Sequence, residues 1–217
     1  MASRLERLAP LSGLAAAILL ALGLAIMSGP AYGATEQVAA DYFTRSAGRI
    51  GVGHYLGYLS AISLLWFVGS VYGALRAPDK GPGRLASIAL GGGVFAAGAV
   101  LAGSGAQQIG GEIASSPIGI SLETAALVQG LYSRAMAAGL SVGLAAFIGA
   151  TGVGALRFGS LPAWLGWVSV VMGVTLLTPL HWLAEGLAIP WMAFVGVWLF
   201  VKNPSVVEKA TFSGGIR

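Results

Sequence analysis

Six long apolar runs, almost free of charge, recur along this chain and are separated by short polar turns. A run of about 20 apolar residues matches the ~30 Å hydrocarbon core of a bilayer when it is helical. Lipid offers no partner for an unpaired backbone N–H or C=O, so such runs span as helices or as closed barrels. Nothing here alternates apolar and polar residues at a period of two, so helices are expected. Composition agrees: hydrophobic residues make up 56% and charged residues only 9%, against about 25% charged in soluble domains. Mean hydropathy is +0.82. The expected fold is all-α, a polytopic transmembrane helical bundle with six spans near residues 11–29, 54–75, 85–105, 121–157, 161–181 and 186–201. Together, residues 1–202 make one transmembrane domain, and residues 203–217 are a polar cytoplasmic tail.

The first run follows Arg4 and Arg7 and extends from Leu11 to Met27. A secretory signal is the competing reading, because Ala31, Tyr32 and Gly33 offer small residues before a cut. The run exceeds the ~7–15 apolar residues of a signal core, which favours an uncleaved first span. Residues 36–53 then form an outer segment. Glu36, Asp41, Arg45 and Arg49 recur there at helical spacing, which suits either a short amphipathic helix on the surface or a solvated loop.

Charge sets the orientation. Arg4, Arg7, Arg76, Lys80, Arg84, Arg157, Lys202, Lys209 and Arg217 fall on one side of the six spans. Only Arg45, Arg49 and Arg134 fall on the other, so the positive-inside rule puts both termini in the cytoplasm. The net charge of +4 is therefore topological, and no nucleic-acid partner is expected. The expected partners are membrane lipids, other membrane-protein subunits or a second copy of the chain. The 34 glycines include Gly53 and Gly57, Gly69 and Gly73, and Gly139 and Gly143, each pair four apart on one helical face. Such faces let neighbouring backbones approach closely. Gly91, Gly92 and Gly93 would break a helix in water but are expected to stay helical in lipid. Ser121 is placed to cap the helix that follows it.

Function is less constrained. The chain has no cysteine, which removes disulfides, thiolate zinc sites, iron–sulfur clusters and cysteine nucleophiles. No phosphate-binding glycine loop and no nucleophile elbow occurs. Span centres lack Asp, Glu, Lys and Arg, which counts against an ion-driven pump. The stretch from Thr178 to Trp191 stands apart, because it sets His181 and Glu185 between two apolar runs. Helical rise places His54, Arg134 and His181 near the outer edge of the hydrocarbon core. Tyr58 shares a helical face with His54, and Glu185 with His181 if the helix continues through both. His54, Tyr58, Tyr132, Arg134, His181 and Glu185 are thus the candidates for one outward-facing polar site. An interfacial anchor for the helix ends is the plainer account of the same residues. No cofactor is expected. Haem b on two histidines, or a divalent metal on His54, His181 and Glu185, are the alternatives.

Three segments, Leu64-Leu65-Trp66-Phe67-Val68-Gly69, Gly81-Pro82-Gly83-Arg84-Leu85-Ala86 and Leu161-Pro162-Ala163-Trp164-Leu165-Gly166-Trp167, resemble a broad group of multi-span membrane proteins from high-GC bacteria that carry a domain of unknown function. The resemblance covers spans two to five. It implies a multi-span fold and a bacterial cytoplasmic membrane, and no activity. The expected function is a non-enzymatic accessory or structural subunit of a membrane assembly. A small transporter or receptor with an outward polar site, and a haem- or metal-dependent membrane enzyme, are the alternatives.

Overall fold

The computed structural model describes residues 4–27, 29–30 and 33–202, and the tail expected at 203–217 lies outside them, as do Ala31 and Tyr32. It is an all-helical bundle with no strand among the described residues. A short helix α1 (Arg4–Leu8) leads through a 3-10 turn (Ala9–Leu11) into α2 (Ser12–Ile26). Then come α3 (Glu36–Arg76), α4 (Arg84–Ala114), α5 (Leu122–Arg134), a π-helical stretch (Ala135–Leu140), α6 (Ser141–Phe158), α7 (Ala163–Thr175) and α8 (His181–Lys202). Five helical stretches are long and apolar enough to cross a membrane, and α7 is a shorter apolar helix. The six expected spans thus correspond to five full-length helices and one short one.

Local chemistry sets the ends. The Val38 amide donates to Thr35 Oγ1 at the start of α3, and the Thr124 amide donates to Ser121 Oγ at the start of α5. These side chains satisfy helix amides that have no intrahelical acceptor. Between α3 and α4 the chain turns on Asp79, whose Oδ1 accepts from the Gly81 amide at 2.8 Å. Gly159, at φ +67°, closes α6 in the left-handed conformation that glycine adopts without strain. Arg76, Ser160 and Lys202 end up at one end of the bundle: Lys202 Nζ lies 3.5 Å from the Gly159 carbonyl, and Ala77, Ser160 and Lys202 line one groove. We call this the basic end.

Helix lengths differ from the expected spans in two places. Residues 36–53 are neither a loop nor a separate surface helix, because α3 runs unbroken for 41 residues, about 62 Å at the helical rise. The 31 residues of α4 reach about 46 Å, and the 37 from Leu122 to Phe158 about 55 Å. Counting about 20 residues from the basic end brings the hydrocarbon core to near Leu56, Ser104, Ala137 and Trp182. The remainder of α3, α4 and α5 projects past it. That projection has its own small core of Ala39, Ala40, Phe43, Ile50, Ala125 and Val128, so it packs as a three-helix extension.

The second difference is at the last two helices. The chain leaves helix α7 at Thr175 and starts α8 at His181, not at 186. Thr178 and Pro179 supply the break, because a proline disfavours the helical conformation in the residue before it. Lipid still demands paired backbone, and the turn provides it: the amides of Leu176, Leu177, Thr178 and His181 each find a carbonyl three or four residues back. Gly186 and Pro190 read as breakers in isolation, yet both lie inside α8. Pro190 withholds one N–H from the Gly186 carbonyl, and Gly186 faces open space.

Close helix contact runs through glycines. Gly92 on α4 meets the Phe147 amide and Gly143 carbonyl of α6, and Gly93 meets Val68. The glycine triplet therefore remains helical, with two of its members in contacts. Gly152 approaches the Gly166 carbonyl, Gly173 approaches Gly149, and Gly196 approaches Pro10 and Gly13. The first helix is built into the bundle: Ser60 Oγ donates to the Ala16 carbonyl, and Gly13 sits on Phe67 and the Met192 carbonyl. Gly53 packs on Met27 and Gly57 on Ser104, whereas Gly69 and Gly73 face nothing. At the centre, Phe67, Phe147 and Trp191 meet edge to face with centroids 5.8–6.3 Å apart. Trp191 Nε1 donates to Ser169 Oγ at 2.8 Å, so a buried donor is satisfied.

Candidate functional site

Polar side chains gather at the end of the bundle opposite the basic end, and they form three groups. The first joins α3 to α4. Tyr58 donates its hydroxyl to Gln108 Oε1 at 2.7 Å, and Gln108 Nε2 donates to Glu112 Oε1 at 2.7 Å. His54 lies one turn before Tyr58 and is 4% exposed. Its ring stacks obliquely on Tyr55 at 4.1 Å and meets Tyr58 edge-on at 5.2 Å. His54 Nδ1 is 3.3 Å from the Ile50 carbonyl, four residues back on the same helix. A carbonyl oxygen only accepts, so this contact requires the hydrogen on Nδ1. Nε2 is buried with no partner. His54, Gln108, Glu112 and Ser115 line a pocket of about 280 Å³, together with Ile50 and Gly51.

The second group joins α4 to α5. Gln107 is fully buried. It donates from Nε2 to Gln129 Oε1 at 3.2 Å, and Gln129 Nε2 donates to the Pro30 carbonyl at 3.4 Å. Gln107 Oε1 has no partner. Tyr42 closes the same end by donating to the Met27 carbonyl at 3.0 Å. Buried polar groups of this kind normally pair, and each exception asks for an explanation.

The third group joins the π-helical stretch to α8. Ser141 Oγ lies 2.6 Å from the Ala137 carbonyl and 2.5 Å from Glu185 Oε1. Glu185 is half-buried and one turn beyond His181 on a continuous helix. Tyr132 stands close enough to feel the Glu185 carboxylate. A π-helical stretch widens the helix and recurs at functional sites; here it lies beside the half-buried Glu185 carboxylate.

The six residues singled out in the sequence therefore divide. His54 and Tyr58 form one pair. Tyr132, His181 and Glu185 form another group, with Ser141 as its unforeseen member. Arg134 is exposed, whereas Arg45 pairs with Asp41 at 3.5 Å. Among the described residues no hydrogen bond or ring contact joins His54 or Tyr58 to Tyr132, His181 or Glu185. Among the described residues no three of His, Cys, Asp and Glu stand together as a metal-binding set. Gln107, Gln108, Glu112 and Gln129 were not singled out. Their signal was present as two adjacent amides in an apolar helix, followed one turn later by an acid.

A second cavity, about 950 Å³, opens at the basic end between α3, α8 and the first turns of the chain. Trp66, Gly69, Gly73, Ser160 and Lys202 line it, and none of the six candidates does. No family model, curated protein or solved structure matches this chain.

Proposed function

We propose that this integral membrane protein resides in a bacterial cytoplasmic membrane with both termini inside, and that it binds a small polar ligand at its projecting end. One observation carries the reading: His54 borders a pocket, and its Nε2 is buried without a partner. A buried polar atom left unpaired costs about 1–3 kcal/mol, and a ligand that pairs with it recovers that energy. Receptor or carrier describes this role better than enzyme, because the lining holds no nucleophile activated by a neighbouring base.

Native mass spectrometry of the full chain released gently from membranes tests it. Wild type is expected to retain a small bound mass that His54→Phe loses while keeping its helical content. Equal bound mass in both proteins would remove His54 from any ligand site.

Orientation is tested separately. The chain has no cysteine, so single cysteines at Lys80 and Glu112 report cleanly. In intact cells an impermeant thiol reagent is expected to label position 112 and spare position 80. The reverse pattern inverts the topology.

An accessory subunit is the second reading, and Gly69 and Gly73 favour it. They face open space beside the basic-end groove, whereas most other paired glycines are already in contacts within the chain. A subunit that co-purifies in stoichiometric amount with wild type and is lost from Gly73→Leu would support it.

A further inference from the structure

The groove at the basic end changes character along its length. On α3 it runs from Ala77 to Leu65, about 18 Å at the helical rise. That is a little more than half of the ~30 Å hydrocarbon core, the depth of one leaflet. Its walls turn from charged to apolar in the same direction. Lys202 is at the mouth, and Leu199 lies one turn deeper on α8. Glu6 is at the mouth, and Pro10 lies deeper: its carbonyl meets Gly196, nearly two turns inside Lys202. Gly69 and Gly73 make a floor on which an added Cβ would meet nothing within 4 Å. Leu65 and Trp66, both exposed, close the inner end. Ser70 lies along this floor, and its hydroxyl already donates to the Trp66 carbonyl at 3.1 Å.

We propose that this groove holds one anionic phospholipid of the cytoplasmic leaflet, with an acyl chain along Gly69 and Gly73 and the phosphate on Lys202. The polarity of the groove is that of an amphiphile standing upright in the bilayer. The Lys202 ammonium is steadied by the Gly159 carbonyl at 3.5 Å and by the Trp198 ring at 5.9 Å. It has three hydrogens, and the carbonyl takes one of them. Charge around the mouth is positive on balance: Arg7 follows Glu6, Arg76 precedes Ala77, and Arg157 stands two residues before Gly159. Basic clefts between spanning helices on the cytoplasmic side suit anionic head groups. A partner helix would match the glycine floor, but it would have to bring its own acceptor to the charged mouth. A phospholipid carries both parts in one molecule. The proposal draws nothing from the pocket beside His54.

The test titrates the purified full chain in dodecylmaltoside micelles with dioleoylphosphatidylglycerol or with dioleoylphosphatidylcholine, and counts bound lipid by native mass spectrometry. Wild type is expected to saturate with one phosphatidylglycerol. It is expected to hold phosphatidylcholine about fivefold more weakly, the scale of one lysine at an anionic surface. Lys202→Gln is expected to remove that preference and leave the two lipids equal. Gly73→Leu is expected to lose both, because leucine fills the floor. Its helical content is expected to stay, since the new side chain enters open space. Lys202 is exposed, so its variant keeps the test standing if the leucine disturbs folding. Gly98→Leu, on another face, is expected to bind as wild type does. Equal affinity of wild type for both lipids, or a preference kept by Lys202→Gln, overturns the contact between phosphate and Lys202. Undiminished binding in Gly73→Leu puts the lipid outside the groove and overturns the proposal. A polypeptide held there in stoichiometric amount and lost from the same variant also overturns it, and supports the accessory reading instead. These arms read the same whichever side of the membrane the basic end faces, so their failure is distinct from a failure of the orientation.

Discussion

Gly143→Leu is expected to destroy the packing of α4 against α6, with a loss of about 3 kcal/mol or more and a large fall in thermal midpoint. A Cβ at this position would stand 2.5 Å from the Ala96 amide nitrogen and 2.7 Å from its Cα. Backbone atoms inside a helix cannot rotate away as a side-chain tip can. Two full-length helices must then separate, and overpacking of this kind costs about 1–3 kcal/mol even where neighbours can adjust. In lipid the penalty is felt directly, since close packing is a main source of helix association there. Gly98→Leu is the control: it sits on α4 and meets nothing within 4 Å, so it is expected to change stability by less than about 0.5 kcal/mol. Unfolding of both variants in detergent, followed by circular dichroism, measures the difference. Equal midpoints would mean that α4 and α6 do not meet through Gly92 and Gly143.

That contact shows what the sequence could convey. Glycines four apart at 139 and 143 marked a helical face, and lipid explains why such a face is used for contact. Nothing local separates them from Gly69 and Gly73, which have the same spacing and face open space. The difference lies in what the fold brings opposite, and that is a long-range property.

Phe147→Ala is expected to lower stability by about 3–5 kcal/mol, the range for removing a fully enclosed phenylalanine. Phe147 is 0% exposed and forms one corner of the aromatic triangle with Phe67 and Trp191. Its removal leaves a void shared by α3, α6 and α8. Trp191→Phe is the milder partner. It keeps a ring but gives up the hydrogen bond to Ser169, which is worth about 1 kcal/mol. The double variant is expected to fall short of the sum, because both side chains border the same space. Reversible unfolding of the three proteins gives the coupling, and strict additivity would place the two rings in separate environments.

The site was half legible for physical reasons. Ionisable residues between apolar runs stand out whatever the fold, so His181 and Glu185 were found at once. Their helix was harder to place. Gly186 and Pro190 look like breakers by soluble-protein rules, yet a bilayer keeps such residues helical, and the break falls instead at Thr178 and Pro179. Residues 36–53 were ambiguous because their charges repeat at helical spacing while their apolar face has no evident partner. The partners are Ala125 and Val128 on α5, some 80 residues away in sequence. Gln107 escaped notice for a related reason: a glutamine beyond the end of a span at 105 is ordinary, and only the continuation of α4 puts it face to face with Gln129.

The length of α3 has a mechanical consequence. One rod connects His54 and the projecting end to Arg76 at the basic end, without a kink-forming proline along its 41 residues. Pivoted at its middle, a rod of about 60 Å that tilts by about 5° carries its two tips about 2–3 Å each in opposite directions. A molecule wedged between α3 and α4 beside His54 would therefore be felt where α3 borders α8 and Lys202, at the groove that contains Gly69 and Gly73. The two cavities lie along the same lever.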